Sequence, residues 1–202
     1  MTQSENRTQV DWETRFQADD APWERRGLHP ALEHFRKAGL LTAGQSIYVP
    51  GCGRSPEPVA FARLGLRVSA SDVAPSAVKR QKEQITAAGL NAAVFEADGL
   101  DWRPPVPFDL LWEQTFLCAI HPRDRERYEQ MAHEVLKPGA RLIALFMQKD
   151  EPGGPPYGCS LGAMRLLFPA ARWDWPADAD FTPFPHPDLG GKAELGGVLV
   201  RR

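Results

Sequence analysis

The chain has few cysteines and no long apolar run, and both absences exclude classes of protein. Its three cysteines, Cys52, Cys118 and Cys159, lie far apart and form no C-x-x-C pair. Three cysteines cannot all pair, so we expect no disulfide framework and a reducing compartment. The longest apolar runs, such as Leu142–Met147, are far too short to span a bilayer. Residues 1–11 are polar and do not resemble a signal peptide. We therefore expect a cytoplasmic protein without a membrane partner.

The chain also lacks an excess of charge, a histidine spacing typical of a metal site, and internal repeats. Its formal net charge is −2 and its lysines and arginines are scattered, so nothing favours nucleic acid as a partner. The 202 residues, 43% of them hydrophobic, suffice for one α/β domain with a sizeable core. We expect a flexible N-terminus at residues 1–10, one domain at 11–202, and a monomer or weak homodimer without a bound metal.

Residues 46–72 contain the most informative pattern. A short apolar run ends in Gly51-Cys52-Gly53, a stretch with helical spacing follows, and a second apolar run ends in Asp72. A strand, a glycine turn, a helix and a strand ending in an acid form the first half of a nucleotide-binding crevice. The glycines allow a ligand to lie against the backbone, and the carboxylate of Asp72 can accept both hydroxyls of a ribose. A Gly-x-Gly sequence by itself is equally consistent with an ordinary tight turn.

The glycine turn lacks the features of two common nucleotide sites. The third glycine of G-x-G-x-x-G is missing, because Pro56 stands there, and no Gly-Lys-Ser/Thr ends the turn. A pyrophosphate needs several free N–H groups at the start of the helix, and Pro56 removes one of them. The turn therefore favours a ligand with an adenosine and no phosphates. S-adenosylmethionine fits, with its amino acid end over the glycines.

Helical and strand patterns alternate through the rest of the chain. Helices are predicted at residues 30–39, 56–64, 77–88, 124–136 and 161–167. Strands are predicted at residues 47–49, 67–72, 92–98, 108–115, 141–147, 172–175 and 197–201. This alternation predicts a doubly wound, mainly parallel seven-stranded α/β sheet. Residues 176–189 are rich in proline and aspartate, and we expect them to lie on the surface.

Four stretches between residues 12 and 157 match, in unbroken order, a known pattern. They are Trp12-x3-Phe16-x6-Trp23; Val49–Gly53 followed by Asp72; Phe108–Leu111 with Phe116–Pro122; and Leu136–Gly139 with Gly153–Tyr157. With these stretches the chain resembles class I S-adenosylmethionine-dependent methyltransferases of the thiopurine S-methyltransferase superfamily. It is most similar to the branch that contains plant halide and thiol methyltransferases. The resemblance implies a Rossmann-like fold with an N-terminal arm over the cofactor.

The resemblance also implies roles for individual residues. Trp12, Phe16 and Trp23 match aromatic residues that close over the cofactor, although the family usually has tryptophan where Phe16 stands. Gln114 falls where plant members carry a tyrosine near the reacting centre, and Glu113 where they carry an aspartate. The other implied cofactor contacts are Gly51 and Gly53 in the turn, Asp72 at the ribose, Asp98 with Gly99 beside the adenine, and Gln114 itself.

Structural alternatives accompany these assignments. Trp12 and Trp23 are also consistent with core aromatics, although a sulfonium cation is attracted to aromatic faces by roughly 0.5–2 kcal/mol per contact. Asp72 is also consistent with a helix cap, and Asp98 with a turn before Gly99. The segment Gly153–Tyr157 is consistent with a rigid turn or with a wall of the crevice.

The implied reaction is the transfer of a methyl group from S-adenosylmethionine to a small soft nucleophile, with S-adenosylhomocysteine as product. A thiol or hydrosulfide is the favoured acceptor, and because it ionises near neutral pH it needs no dedicated base. We assign Gln114 the catalytic role of orienting the nucleophile, since a neutral amide tolerates an anion better than the carboxylate of Glu113. The alternatives are halide, selenium, tellurium or other small acceptors, a non-catalytic cofactor-binding module, and a nicotinamide oxidoreductase.

Overall fold

Eight strands of the described part of the chain form one mixed sheet with helices on both faces. The structure is a computed structural model that describes residues 10–187 and 190–202. The flexible segment predicted at residues 1–10 therefore lies, except for Val10, outside the described residues. The helices are α1 (Trp12–Gln17), α2 (Pro30–Lys37), α3 (Glu57–Arg63), α4 (Pro75–Ala87), α5 (Arg125–Val135) and α6 (Leu161–Leu167). The strands are β1 (Ser46–Pro50), β2 (Arg67–Asp72), β3 (Ala93–Glu96), β4 (Phe108–Gln114), β5 (Leu136–Met147), β6 (Trp173–Asp174), β7 (Thr182–Pro185) and β8 (Ala193–Arg201).

The strand order confirms the predicted doubly wound α/β fold. Along the sheet the order is β3-β2-β1-β4-β5-β8-β6, and β7 also pairs with β8. The first five strands of this order are parallel, whereas β8 runs antiparallel to β5, β6 and β7. The direction of winding reverses between β1 and β4. A ligand crevice is expected there, at the carboxyl ends of the strands.

Each face of the sheet carries its own apolar layer. Trp112 of β4 lies in one layer, between Phe35 of α2 and Phe61 of α3, with ring centroids 6.2 Å and 5.1 Å away. Its neighbour Leu111 belongs to the other layer, with Tyr128 of α5. Successive side chains of a strand point to opposite faces, so the last two residues of β4 also face different layers. Glu113 and Gln114, the last two residues of β4, therefore have different surroundings.

The segment 176–189 is not confined to the surface, and that prediction was wrong for its centre. Residues 182–185 form β7, an eighth strand beside the predicted seven, and Phe181, Phe184 and His186 are buried. Two prolines at the exposed positions of β7 hide its pattern in the sequence, and an edge strand tolerates them. The glycines of β8 make room for its rings: a Cβ at Gly197 would lie 2.1 Å from Phe181, and one at Gly196 would lie 2.6 Å from Phe184.

Strand β8 also holds the segment that connects α1 to α2. The buried carboxylate of Glu194 accepts hydrogen bonds from Arg25 at 2.6 Å and from Nε2 of His29 at 2.9 Å. Nδ1 of His29 accepts the N–H of Ala31 at 3.1 Å, so the ring proton lies on Nε2. Burial raises the pKa of Glu194, but His29 and Arg25 outweigh it and hold that pKa below its usual value. Close by, Nε2 of His186 lies 3.1 Å from the Trp23 carbonyl.

We expect Glu194→Gln to lower the free energy of unfolding at pH 7 by about 3 kcal/mol, because it leaves the Arg25 charge without its buried partner. For a chain of this length that is roughly 6–12 °C in melting temperature. A carboxylate whose pKa is lower in the folded than in the unfolded state stabilises the protein at pH values above the unfolded-state pKa. This stabilisation is lost as the pH falls through the folded-state pKa. The difference in melting temperature between the wild type and Glu194→Gln should therefore become smaller below a pH of about 4.5.

The control is Glu151→Gln, which removes an exposed ion pair with Lys192 at 2.7 Å. Such pairs contribute about 0–1 kcal/mol, so its melting temperature should stay near that of the wild type. Equal melting temperatures for the two variants at pH 7 would contradict the role given to Glu194.

Candidate active site

A cleft opens at the carboxyl ends of the parallel strands, where the fold predicts it. Its walls come from the segment around α1, from the turn after β1, and from the loops after β2 to β5. The predicted site residues that line it are Trp12, Phe16, Trp23, Gly51, Gly53, Asp72, Gly99 and Gln114. Asp98 does not line it, although its neighbours Ala97 and Gly99 do.

The carboxylate of Asp72 joins two turns at the base of the cleft. Its Oδ2 accepts the N–H of Gly53 at 2.8 Å, and its Oδ1 accepts the N–H of Ala74 at 2.9 Å. Ala74 is the N-cap of α4 and no side chain caps this helix, so the helix-cap role considered for Asp72 is not present; its bond to Ala74 closes a turn just before the helix. Burial raises the pKa of Asp72 above its usual value, against these hydrogen bonds. A carboxylate has about four lone-pair sites, so Asp72 can hold both turns and still accept from a ligand.

The ring of Phe116 explains two of the glycines. A Cβ at Gly51 would lie 2.3 Å from Cδ2 of Phe116, and one at Gly99 would lie 3.1 Å from its Cζ. Gly51 also has a φ of +57°, a conformation that L side chains rarely adopt. The space beside these glycines was predicted to hold a ligand, but the Phe116 ring fills part of it. Phe116 itself lines the cleft, so glycines and ring together form one wall.

Three aromatic rings close the cleft from the N-terminal side. Trp12 and Trp23 meet edge to face at 5.3 Å, and Phe16 meets Trp23 at 5.8 Å. Phe16 is buried, whereas the two tryptophans are half-buried. Helix α1 is fastened to α4 by Glu13, whose Oε2 accepts the N–H and Oγ–H of Ser76 at 3.0 Å and 2.8 Å. The rings therefore pack on each other and still face the cleft.

The last two residues of β4 have separate surroundings. Gln114 lines the cleft, and its Oε1 accepts the Nε1–H of Trp112 at 2.8 Å. That bond orients the amide and leaves the N–H groups of Nε2 to donate. Glu113 faces the opposite layer, is 1% exposed, and does not line the cleft. The geometry therefore favours Gln114 over Glu113 as the residue that meets a ligand.

Asp98 shows the turn geometry that the sequence analysis considered for it. Its Oδ1 accepts the N–H of Leu100 at 2.9 Å, and its carbonyl accepts the N–H groups of Asp101 and Trp102. These bonds fix the turn that presents Gly99 to the cleft. A contact between Asp98 and an adenine stays a prediction.

The loop at residues 153–157 forms a wall, one of the two alternatives considered for it. Pro155 and Pro156 line the cleft, and the N–H of Tyr157 donates to the carbonyl of Cys118 at 2.7 Å. The Nζ of Lys149 donates to the carbonyls of Gly153 and Pro156 at 2.6 Å and 3.1 Å. The loop is thus tied to the turn after β4.

Sequence reasoning did not single out Glu57, a second buried carboxylate in the cleft wall. Its Oε1 accepts the N–H of His29 at 2.7 Å, which ties the start of α3 to the start of α2. Burial raises the pKa of Glu57. The signal available in the sequence was only an acid in the first turn of a helix, a position that is common on electrostatic grounds alone.

The cleft offers a poor nucleophile. Cys118 lines it, but burial raises the pKa of its thiol well above the usual value, and its Sγ–H points to the Thr115 carbonyl at 3.4 Å. Within residues 10–187 and 190–202, no group of three or more His, Cys, Asp or Glu side chains could hold a metal ion. No helix in the described ranges is long and apolar enough to cross a membrane.

Comparison with known proteins places the chain in a family. The model of the thiopurine S-methyltransferase family matches residues 7–175. The chain belongs to this family. It is a methyltransferase whose methyl donor is S-adenosylmethionine, as the sequence analysis predicted.

Two plant proteins are among the relatives of this methyltransferase. Probable thiol methyltransferase 2 of Arabidopsis thaliana is 35% identical over 163 residues, which are 78% of this chain and 71% of that protein. Thiocyanate methyltransferase 1 of Arabidopsis thaliana is 29% identical over 189 residues, which are 92% of this chain and 82% of that protein.

The fold is shared with solved methyltransferase structures. The 1,6-didemethyltoxoflavin-N1-methyltransferase of Burkholderia thailandensis, solved with 1,6-didemethyltoxoflavin and S-adenosylhomocysteine, matches with a TM-score of 0.77 and 18% identity. The match covers 95% of this chain and 85% of that chain. The magnesium protoporphyrin IX methyltransferase of Synechocystis PCC 6803 matches with a TM-score of 0.68 and 14% identity, over 98% and 87% of the two chains. At these identities the likeness concerns the fold alone.

We expect Gly51→Ala to weaken binding of S-adenosylhomocysteine by about 10–100-fold, because its Cβ would displace the Phe116 ring from the wall of the cleft. Gly53→Ala is the matched control. Its φ of +51° gives the same backbone strain, but its Cβ would meet only the edge of Phe16 at 3.3 Å. We expect a loss of about threefold there, measured by calorimetric titration with melting curves as a check on folding. Equal losses for both variants would contradict the role of the Phe116 ring.

Proposed function

We propose that this methyltransferase acts on the sulfur of a small thiol or of hydrosulfide. The observation that carries the proposal is the Gln114 amide, which Trp112 orients among apolar walls. The loops after β4 and β5 contribute Phe116, Ile120 and two prolines to the lining of the cleft, and Met147 at the end of β5 also lines it. Of the described residues that these loops add to the lining, Cys118 alone has a titratable side chain, and its pKa is raised. We therefore expect an acceptor that is reactive without a base from these loops.

A thiolate or hydrosulfide meets this requirement. A thiol is already ionised to a few per cent at about pH 7 and its thiolate is intrinsically nucleophilic, so the enzyme can bind the anion from solution and no residue has to remove a proton during the reaction. The Nε2–H groups of Gln114 can donate to the anionic sulfur without adding a charge that would need its own desolvation. The apolar walls exclude water, which strengthens that hydrogen bond. The thiol and thiocyanate methyltransferases among the relatives act on acceptors of this soft type by their names.

The residues of the cleft fit the methyl donor. S-adenosylmethionine supplies a methyl group on a sulfonium cation, and cations are stabilised by aromatic faces at roughly 0.5–2 kcal/mol per contact. Trp12, Phe16 and Trp23 provide such faces. We assign the free lone pairs of Asp72 to the ribose, and the turn of Asp98 and Gly99 to the adenine. The three cysteines are unpaired, which agrees with the cytoplasmic location that we propose.

Thiocyanate or a halide is the second candidate acceptor. The donating amide of Gln114 suits any soft anion, and one relative bears the name thiocyanate methyltransferase. These acceptors are anions at every pH of interest. They compete with thiols in the same assay and are distinguished by their products.

The proposal is tested by titrating the protein with S-adenosylmethionine and S-adenosylhomocysteine in a calorimeter and then measuring turnover. The acceptors are hydrosulfide, small alkyl thiols, an aromatic thiol, iodide and thiocyanate, with volatile and soluble methylated products quantified. We expect a methylated sulfur compound as the main product. Binding without any product would favour a non-catalytic module, and no binding would overturn the proposal.

Gln114→Glu and Gln114→Ala test the role of the amide. The Glu variant keeps an acceptor for Trp112 but replaces the donor by a negative charge, whereas the Ala variant removes both the donor and the acceptor of Trp112 without adding a charge. We expect kcat/KM for thiocyanate to fall about 10-fold in the Ala variant and about 100-fold in the Glu variant. Affinity for S-adenosylhomocysteine should change by less than about threefold. Equal kcat/KM for both variants and the wild type would remove Gln114 from the acceptor site. A matching loss of S-adenosylhomocysteine affinity would assign Gln114 to the cofactor instead.

A further inference from the structure

Glu113 holds the turn that follows β4. Its Oε1 accepts the N–H of Phe116 at 3.1 Å and the N–H of Leu117 at 2.8 Å. From the other side, the guanidinium of Arg125 donates to the carbonyl of Leu117 at 3.2–3.3 Å. A carboxylate and a guanidinium thus hold consecutive peptide units of this turn: Glu113 binds the N–H groups of Phe116 and Leu117, and Arg125 binds the carbonyl of Leu117. Thr115, at the start of this turn, has a φ of +61°, so the turn is not one that the chain adopts by default.

The position of Glu113 is costly for a carboxylate. It is 1% exposed, and its Oε2 has no hydrogen-bond partner within the described ranges. The polar groups that face it are Arg125 and Tyr128 of α5, Cys118 of the turn, and Cys159 of the segment after β5. Arg125 is already engaged by the Leu117 carbonyl and by Sγ of Cys159 at 3.2 Å. An apolar residue would avoid this cost but would leave two buried N–H groups without an acceptor.

The turn that Glu113 holds carries the ring that shapes the cleft. Phe116 packs against the Cα atoms of Gly51 and Gly99, and it lines the cleft, whereas Glu113 does not. We infer that Glu113 is a positioning residue for methyl transfer: by accepting the two N–H groups it keeps the Phe116 ring in the wall where the cofactor lies. Glu113 acts on the reaction through Phe116 and has no contact with the acceptor. That S-adenosylmethionine is the ligand beside this ring rests on the proposed function.

The strength of the two hydrogen bonds from Phe116 and Leu117 depends on whether Glu113 is ionised. Burial raises the pKa of Glu113 to about 7, although the hydrogen bond from the Leu117 N–H lowers it. Both protonation states are therefore populated near neutral pH. An ionised carboxylate accepts hydrogen bonds about twice as strongly as a neutral group. The turn should be held more firmly above pH 7 than below it.

A double-mutant cycle tests whether Glu113 acts through Phe116. The dissociation constant of S-adenosylhomocysteine is measured for Glu113→Ala, Phe116→Ala and the double variant, with Glu113→Gln as the control that keeps an acceptor oxygen. We expect a loss of about tenfold for Glu113→Ala and less than about threefold for Glu113→Gln. In the Phe116→Ala background the effect of Glu113→Ala should disappear. Additive losses, or wild-type affinity of Glu113→Ala, would overturn the inference.

A second measurement needs only a conservative variant. We expect the ratio of the Glu113→Gln dissociation constant to that of the wild type to rise about threefold between pH 6 and pH 8, because only the wild-type group ionises. Taking the ratio cancels the titration of the ligand and of other groups. A ratio that does not change with pH would contradict the claim that the hydrogen bonds accepted by Glu113 depend on its charge.

A third measurement needs no ligand and separates this inference from the proposed function. Hydrogen exchange of the Phe116 and Leu117 amides should be slow in the wild type and in Glu113→Gln. It should be faster by at least about tenfold in Glu113→Ala. Unchanged exchange in Glu113→Ala would overturn the inference even if the methyltransferase assay succeeds. Faster exchange would support it even if that assay fails.

Discussion

The cleft depends most on the two hydrogen bonds that the buried carboxylate of Asp72 accepts. The carboxylate accepts one N–H from the glycine turn and one from the residue before α4, so it fixes the end of β1 against the start of that helix. Helix α4 then supplies Gln81, whose amide donates to the carbonyls of Gly53 and Ser55, and Ser76, which binds Glu13 of the N-terminal arm. The turn, the helix and the arm are therefore connected in series, through the carboxylates of Asp72 and Glu13 and the amide of Gln81. Charge-assisted hydrogen bonds suit this position because the site is dry.

The sequence predicted the parallel half of the sheet well, because each of its strands is a local apolar run followed by a helix with its own start and stop signals. The alternation predicted a doubly wound sheet, whereas the strand order and the reversal between β1 and β4 were seen only in the structure. The antiparallel edge was harder to predict. Strand β7 has prolines at exposed positions, and β8 contains two adjacent glycines whose reason is the packing of Phe184 and Phe181. Such reasons become visible only when distant segments are brought together.

The site divides in the same way. The glycines and Asp72 were predicted from the order of strand, glycine turn, helix and strand, and the arm aromatics from the resemblance to the family. Phe116 was missed as a partner of Gly51 and Gly99, since a ring lying on a glycine leaves no periodic signal. Glu113 and Gln114 are adjacent in sequence, and a motif does not distinguish them. The pleat of β4 does, because it turns Gln114 to the cleft and Glu113 to the peptide groups behind it.

Strand β8 has a consequence for how the protein is made. It pairs with β5 on one edge and with β6 and β7 on the other, and it carries the Glu194 carboxylate that binds Arg25 and His29. A ribosome releases residues 193–201 after the parallel half of the sheet has emerged. A nascent chain can therefore form the glycine turn early, but the segment that carries Trp23 then lacks the Glu194 carboxylate and keeps contacts such as the ion pair of Glu24 with Arg54. The N-terminal wall of the cleft is therefore fully anchored only after β8 has joined the sheet.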